Sequence, residues 1–164
     1  MYYKIVFFIG LLSLALLFGC EETTEESVSN IVISADDAKV IEKYLTEEIM
    51  TPNFGGAVFA EYEILETEND VEEIYLWALI QEYYQKGEVI EEGSGMSVPI
   101  VLSVRKESQS TKIVSHSLPR DGSYFTDDIK EMFPRHIQNK IFEYGSEHIS
   151  KLIKDLEEKV KESY

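Results

Sequence analysis

Cysteine and basic residues are scarce in this chain, and each shortage excludes a class of protein. The one cysteine, Cys20, leaves no pair for a disulfide framework, so a folded domain must gain its stability from packing. Basic residues number 15 against 31 acidic ones, which gives a net charge of −16 at pH 7. This excess opposes binding to nucleic acid through general electrostatics, so no nucleic-acid partner is expected.

The sequence also lacks the short motifs that hold common cofactors. It contains no phosphate-binding loop, no dinucleotide fingerprint and no Cys-x-x-Cys pair. His136 and His148 lie twelve positions apart with a glycine between them, so they do not form a helical metal pair. We therefore expect no cofactor and no metal site.

Long apolar runs are equally rare, and the one at the N-terminus is short. Residues 5–18 are almost all apolar and follow Lys4. The run is shorter than the roughly 20 residues that span a bilayer and close to the length of a signal-peptide core. It ends at Leu17-Phe18-Gly19-Cys20, and four glutamates follow within residues 21–26.

This ending resembles the lipobox of bacterial lipoproteins: a branched apolar residue, a tolerant position, a small residue and a cysteine. The resemblance implies that residues 1–19 are a signal peptide and that Cys20 becomes the lipidated N-terminal residue. A thiolate is the nucleophile for attaching the lipid, and two or more acyl chains such as palmitate give stable anchoring. We expect the protein at the extracytoplasmic face of the cell membrane. The alternative, a thiol at the end of a transmembrane helix, fits poorly with so short a run.

The remainder predicts a flexible tether followed by one domain. Residues 20–30 are acidic and rich in Ser and Thr, with Val28 as the single large apolar side chain. Such a segment cannot bury enough surface to offset its ordering entropy. Residues 31–164 have the length of a single domain with its own core.

The first half of this domain predicts a helix and two strands. Ser34 is a suitable N-cap, and apolar residues then recur at spacings of three and four up to Ile49. Residues 57–66 and 71–86 are rich in β-formers, with a turn between them. In the second run both alternating sets are apolar, so residues 75–83 are expected to form a central strand that is covered on both faces.

The second half predicts two more strands and then helices. Gly87 and Gly93-Ser94-Gly95 bracket a charged excursion, and residues 98–104 and 112–118 are expected to form a hairpin. Pro99 lacks an amide donor, which indicates that its strand begins at an edge or bulge. Residues 126–128 are expected to cap a helix that is interrupted at Pro134, and a last amphipathic helix follows Gly145. The fold class is therefore α+β, with an N-terminal helix, a four-stranded antiparallel sheet and C-terminal helices. Its element order is cystatin-like or NTF2-like by analogy alone.

One internal stretch carries a second resemblance. Residues 97–134, especially PRDGSY at 119–124 and DIK at 128–130, resemble segments of small secreted or lipid-anchored proteins of low-GC Gram-positive bacteria. No catalytic residue comes with this resemblance, so it implies location rather than activity.

The sequence shows no convincing set of catalytic residues. His116 lies near Asp121 and Ser123, but the G-x-S-x-G turn of a nucleophilic serine is absent. A polar histidine at a strand end is the simpler interpretation, and no catalytic residue is predicted. Asp127 and Asp128 lack the spacing of a calcium loop, and helix capping accounts for them.

Aromatic side chains are the remaining candidates for a ligand site. Trp77, Tyr83 and Tyr124 could line the concave face of a curved sheet, although an ordinary core also suits Trp77. Two functions remain open. The first is a non-catalytic, membrane-anchored module that binds a protein or a small molecule. The second is a cell-envelope enzyme, such as a hydrolase, with a site assembled from distant residues.

Overall fold

The computed structural model describes residues 32–107 and 110–164. Its elements, in chain order, are helix α1 (Ala35–Tyr44), a π-helical turn (Leu45–Ile49), strands β1 (Ala57–Glu68), β2 (Glu73–Lys86), β3 (Val89–Glu107) and β4 (Ser110–Ser117), a 3₁₀ turn (Gly122–Tyr124), and helices α2 (Phe125–Met132), α3 (Arg135–Phe142) and α4 (Ser146–Ser163). The α+β fold class, with its N-terminal helix, four strands and C-terminal helices, is confirmed. The expected signal peptide, Cys20 and the tether lie outside the described residues.

The sheet is an antiparallel meander in the order β1-β2-β3-β4, so β2 and β3 are its central strands. Helix α1 begins with a capping box, as Ser34 predicts. The Asp37 amide donates to Ser34 Oγ at 3.1 Å, and the Ser34 amide donates to the Asp37 carboxylate at 3.0 Å. The helix then widens into the π-helical turn, so the apolar spacing that reaches Ile49 is not one regular helix.

Both faces of β2 are covered, as its two apolar sets predict. On one face, which we call the α1 face, the buried side chains of β2 pack with Ile41 and Leu45 in a continuous core; they are Ile74, Leu76, Ala78 and Ile80. On the opposite face, which we call the α2–α4 face, Tyr75 packs against α2 and α3, and Tyr83 packs against α4. The sheet therefore separates one core on the α1 face from two smaller clusters on the α2–α4 face.

The glycine-rich excursion expected before residue 98 is part of β3, so that expectation is wrong. The chain reverses in a tight turn at Gly87, whose φ is +69°, and β3 then runs from Val89 with a shift in its pairing register at Gly93 and Ser94, opposite Glu82. Gly93 lies in the strand because the buried Glu82 carboxylate crosses over it. A Cβ atom at residue 93 would lie 2.8 Å from Glu82 Oε2. Gly93 is therefore needed for the close approach of the Glu82 carboxylate and does not mark a loop.

Pro99 lies inside β3, opposite Trp77, so the strand does not begin at it. The ladder between β3 and β4 includes Val101 and Ser117 at this end and does not extend to Pro99. At residue 99 the strand therefore has a neighbour on the β2 side only, and the missing amide donor costs no ladder hydrogen bond.

The expected cap at residues 126–128 is also wrong. Helix α2 begins at Phe125, one turn earlier, with Tyr124 as an N-cap that makes no side-chain hydrogen bond. The buried Asp128 carboxylate instead accepts hydrogen bonds from the Arg120 amide at 2.7 Å and from its guanidinium at 2.7 and 2.9 Å. These bonds lower the pKa of Asp128 to about 2. Asp128, whose spacing suggested a helix cap, thus binds a residue that lies eight positions earlier, before the helix begins.

Within residues 32–107 and 110–164, no helix has both the length and the apolar character needed to cross a membrane.

Candidate functional site

An open cleft of about 420 Å³ lies between the end of α3, the start of α4 and strand β1. We call it the α3–α4 cleft; its lining consists of residues 63–65 of β1 together with Lys140, Glu143, Tyr144 and His148. It exists because the two helices are separated. Helix α3 ends at Phe142 and α4 begins at Ser146, so the short connection carries Tyr144 across the sheet.

Stacked aromatic rings lie beside the cleft. The rings of Trp77 and Tyr144 are 4.3 Å apart and nearly parallel, at 8°. Trp77 is half-buried on β2, and its indole nitrogen donates to Ser97 Oγ at 2.9 Å. The other neighbour of the Tyr144 ring is His148, 4.7 Å away between ring centres. The Trp77 side chain is thus fixed by β3 on one side and by the α3–α4 connection above it.

Glu63 is the central polar group of the cleft. Its Oε2 atom accepts a hydrogen bond from the Tyr144 hydroxyl at 2.9 Å and lies 3.0 Å from Nδ1 of His148. Burial, followed by the hydrogen bond and charge of Glu63, raises the pKa of Tyr144, so the phenol stays protonated and donates. The Glu63 side chain is 40% exposed, so its carboxylate can also reach a molecule that enters from solvent.

A second glutamate of β1, Glu66, lies next to this cleft. It accepts hydrogen bonds from His136 Nε2 at 2.8 Å and from Lys140 Nζ at 2.7 Å. Burial would raise the pKa of Glu66, but the bonds from Lys140 and His136 outweigh it and lower the pKa. The two C-terminal histidines therefore each contact a different glutamate of β1.

A metal could be held in the described part of the chain by Glu66, Glu68 and His136, whose ligand atoms lie within 4.8 Å of one another. However, the Lys140 ammonium already binds the Glu66 carboxylate at 2.7 Å. A cation would have to displace this charge, so the donor set fits a salt-bridge network better than a metal.

The structure places the three predicted ligand residues in different surroundings. Trp77 stacks on Tyr144 beside the cleft. Tyr83 is 8% exposed and lies in the core under α4, with its ring edge-on to Phe59. Tyr124 is exposed on the 3₁₀ turn, with the Arg120 guanidinium 4.3 Å from its ring centre.

His116 packs against Tyr44 of α1. Its Nδ1 atom is 2.9 Å from the Tyr44 hydroxyl, and the two rings meet edge-on between β4 and α1. Asp121 and Ser123 are exposed, and in residues 32–107 and 110–164 no hydrogen bond connects either of them to His116. The residues of a Ser-His-Asp site are thus not assembled here.

Sequence reasoning missed Glu63, Tyr144 and His148. Tyr144 carries a usable signal, because it is an aromatic residue directly before the helix break at Gly145. Glu63 carries none, since an acidic residue on an edge strand is ordinary in so acidic a chain. Their partnership spans more than 80 positions and depends on the fold.

Comparison with known proteins found no matching family model, no matching curated protein and no matching solved structure.

Proposed function

We propose that this protein is a membrane-anchored extracytoplasmic lipoprotein whose domain binds a ligand in the α3–α4 cleft without catalysing a reaction. The observation that carries the binding role is the stacked pair of Trp77 and Tyr144 beside the half-exposed carboxylate of Glu63. Large aromatic surfaces with a few convergent polar groups are typical of ligand sites.

The charge of the cleft favours a cationic group as ligand. Glu63 and Glu143 both line it, whereas the one lysine of the lining, Lys140, is already paired with Glu66. An ammonium or guanidinium group could bind the carboxylate of Glu63 and approach the aromatic faces. A protein side chain and a small molecule can both supply such a group.

Binding is favoured over catalysis by the side chains of the cleft. Its lining contains no Ser, Thr or Cys that could act as a nucleophile. Tyr144 is held protonated, and Glu63 accepts from Tyr144 while it contacts His148. These groups orient one another, as expected of a preorganised binding surface.

The cleft is tested through Trp77, which is the only tryptophan of the chain. Titration of the purified domain with arginine amide should change its fluorescence in a saturable way. Glu63→Gln should weaken that change strongly, and acetate should produce none. Glu131→Gln, at an exposed site on α2, is the matched control and should behave like the native protein. An unchanged emission spectrum up to millimolar arginine amide would contradict a cationic ligand site here.

The anchor is tested through Cys20. Cys20→Ser should leave the precursor uncleaved or release the protein from membranes, because the thiol that carries the lipid is gone. Membrane fractions washed with high salt and probed for the protein provide the measurement. Normal processing together with salt-resistant membrane retention of the variant would overturn the lipoprotein proposal.

The alternative is a cell-envelope enzyme, and one observation favours it: His148 and Glu63 are 3.0 Å apart in an open cleft. A histidine paired with a carboxylate can serve as a general base. Turnover of a generic ester, peptide or glycan by the purified protein, abolished by His148→Ala and unaffected by His116→Ala, would favour the enzyme over the binding module.

A further inference from the structure

Strand β1 is an edge of the sheet, and two lysines cover part of that edge. Lys159 of α4 donates to the carbonyl oxygen of Ala60 at 2.8 Å, and Lys140 of α3 donates to that of Leu65 at 2.9 Å. Lysines are a common protection of exposed edges against pairing with another chain. Here they occupy two points about five residues apart.

Between these two points the backbone of β1 is open. Because the carbonyl of Ala60 faces outward, strand alternation also turns the backbone groups of Tyr62 and Ile64 outward. This alternation holds up to the β-bulge after Ile64, which leaves Leu65 without a partner in the β1–β2 register. Across residues 32–107 and 110–164, no hydrogen bond to these outward groups is found. The open stretch measures roughly 17 Å, at the usual rise of about 3.3 Å per residue.

Space is available on both faces of this open edge. The α3–α4 cleft lies on one face, and a groove of about 530 Å³ lies on the other, between α1 and β1. The two share Glu63 and Ile64. A chain placed beside β1 would therefore find room for side chains above and below the sheet.

We propose that the open edge at Tyr62 and Ile64 binds an extended segment of another protein, which adds to the sheet as a fifth strand. This deepens the proposed function by naming the class of partner, and it rests on that function. Backbone hydrogen bonds to residues 62 and 64 supply the pairing, and the grooves select the side chains.

The chemistry of β1 specifies an alternating pattern in the added strand. On the α2–α4 face, the neighbours of the new strand are Glu61, which is already paired with Lys159, and Glu63, whose half-exposed carboxylate favours a basic side chain. On the α1 face, the neighbours are Tyr62 and Ile64, which favour apolar ones. The segment therefore alternates basic and apolar residues.

A second copy of this chain fits the edge less well. Antiparallel pairing of two β1 edges about their open centre would place Glu63 of each copy opposite the other. Like charges directly opposite destabilise a strand pair, and the net charge of −16 adds repulsion. The charge at the edge thus selects a basic partner over self-association.

The experiment uses an acetylated and amidated heptapeptide of alternating lysine and valine as the probe. Amide hydrogen exchange, followed by NMR, should slow at Tyr62 and Ile64 when the peptide binds. The amides of Glu61 and Glu63 already face β2 and should change little. Binding should weaken as salt is raised, and a peptide with glutamate in place of lysine should not bind.

Two changes remove the backbone pairing without altering charge. A peptide N-methylated at alternate residues lacks the donors, and it should bind about tenfold more weakly because it forms fewer hydrogen bonds. Ile64→Pro removes an outward donor of β1, with Ile64→Val as the control that keeps it. If Ile64→Pro fails to fold, the N-methylated peptide still decides the question.

The outcomes separate this inference from the cleft itself. Arginine amide binding is measured on the native protein beside the two peptides, because N-methylation changes the peptide alone and leaves the cleft, whose lining includes Ile64, as it is. Equal affinity for the normal and N-methylated peptides would overturn strand addition and leave the cleft proposal intact. Concentration-dependent dimers with protected residues 62 and 64 in the absence of peptide would overturn the choice of partner.

Discussion

The two faces of the sheet are built differently. The α1 face holds one continuous core, in which the alternate residues of β2 from Ile74 to Ile80 are fully buried under α1 and the π-helical turn. The α2–α4 face holds two separate clusters, one around Tyr75 and one around Tyr83. Trp77 and Leu79 lie between these clusters and stay partly exposed. The face that is fully packed against helix provides stability, whereas the gap between the helices on the other face forms a cleft.

The difference has a simple origin in the chain. On the α1 face, α1 and the π-helical turn that directly follows it pack with the sheet in one continuous cluster, which includes Ala60 and Ala78. The opposite side is covered by three helices that are separated at Pro134 and Gly145. Each helix packs on a different part of the sheet, and the connection between the last two leaves room above β1.

Two carboxylates, Glu82 and Glu63, differ in the same way: the first stabilises the fold, and the second is available to a ligand. Glu82 is fully buried and accepts from the amides of Asn53 and Phe54, each at 2.8 Å, with further donation from Gly56 and Ser94. Burial would raise the pKa of Glu82, but these four backbone donors outweigh it and lower the pKa. Glu63 has side-chain partners only and is half exposed, so its partners can be exchanged for a ligand.

The largest loss of stability is expected from a substitution in the core of the α1 face. Leu76→Ala should lower the free energy of unfolding by about 2–5 kcal/mol, because it opens a cavity in a fully enclosed core. Urea denaturation followed by circular dichroism measures this loss. A change below 1 kcal/mol would mean that this core can collapse around the cavity, contrary to the continuous packing described above.

Leu156→Ala should have a smaller effect, near the lower end of the range of about 2–5 kcal/mol. Leu156 is buried, but its cluster has only two other buried members, Tyr83 and Val160, so the site can relax more easily. Hydrogen exchange should show faster opening of α4 while β2 stays protected. Equal losses for Leu156→Ala and Leu76→Ala would remove the distinction between the two faces.

Lowering the pH should destabilise the protein by protonating Asp37, which lies in α1. Burial acts to raise the pKa of Asp37, but hydrogen bonds from Ser34 and Thr111 outweigh it and lower the pKa from 3.8 to about 2. Because the folded-state pKa is depressed, its contribution to stability is complete above pH 4 and is lost as the pH falls through 2. Asp37→Asn should therefore be less stable than the native protein at pH 5, with a difference that shrinks by pH 2. A constant difference across this range would contradict the assigned bonds.

Replacing Tyr144 should have little effect on stability and a large effect on the cleft. Tyr144→Leu removes the ring that stacks on Trp77, a contact worth about 0.5–1.5 kcal/mol. Thermal unfolding should shift only slightly, whereas Trp77 emission and arginine amide binding should change clearly. A large fall in Tm would show that the connection between α3 and α4 belongs to the core.

The smallest effect is expected from deleting residues 21–30. If the domain begins at residue 31, this deletion should leave Tm nearly unchanged, because the deleted segment would then lie outside the packed domain. Differential scanning calorimetry of the protein with and without residues 21–30, both prepared without the signal peptide, gives the two Tm values. A deletion that destabilises the protein more than Leu76→Ala would move the domain boundary toward the N-terminus.

Sequence reasoning was most successful where a pattern is local. The two apolar sets of β2 predicted a central strand, and Ser34 predicted the start of α1; both are confirmed. It failed where the partner of a residue lies outside the local motif that its spacing suggested. Gly93 makes room for Glu82, and Asp128 binds Arg120, although each has the spacing of a loop or a cap.

The sequence by itself determined the fold class and the two-sided burial of β2, because periodicity and capping depend on neighbours along the chain. It also contains the pattern on which the expected anchor at Cys20 rests. Tertiary structure alone decided the candidate site. Glu63, Trp77, Tyr144 and His148 come from a strand edge, a central strand, a connection and a helix start, and only the packing of α3 and α4 on the sheet brings them together. Such contacts between residues far apart in sequence leave no periodic trace.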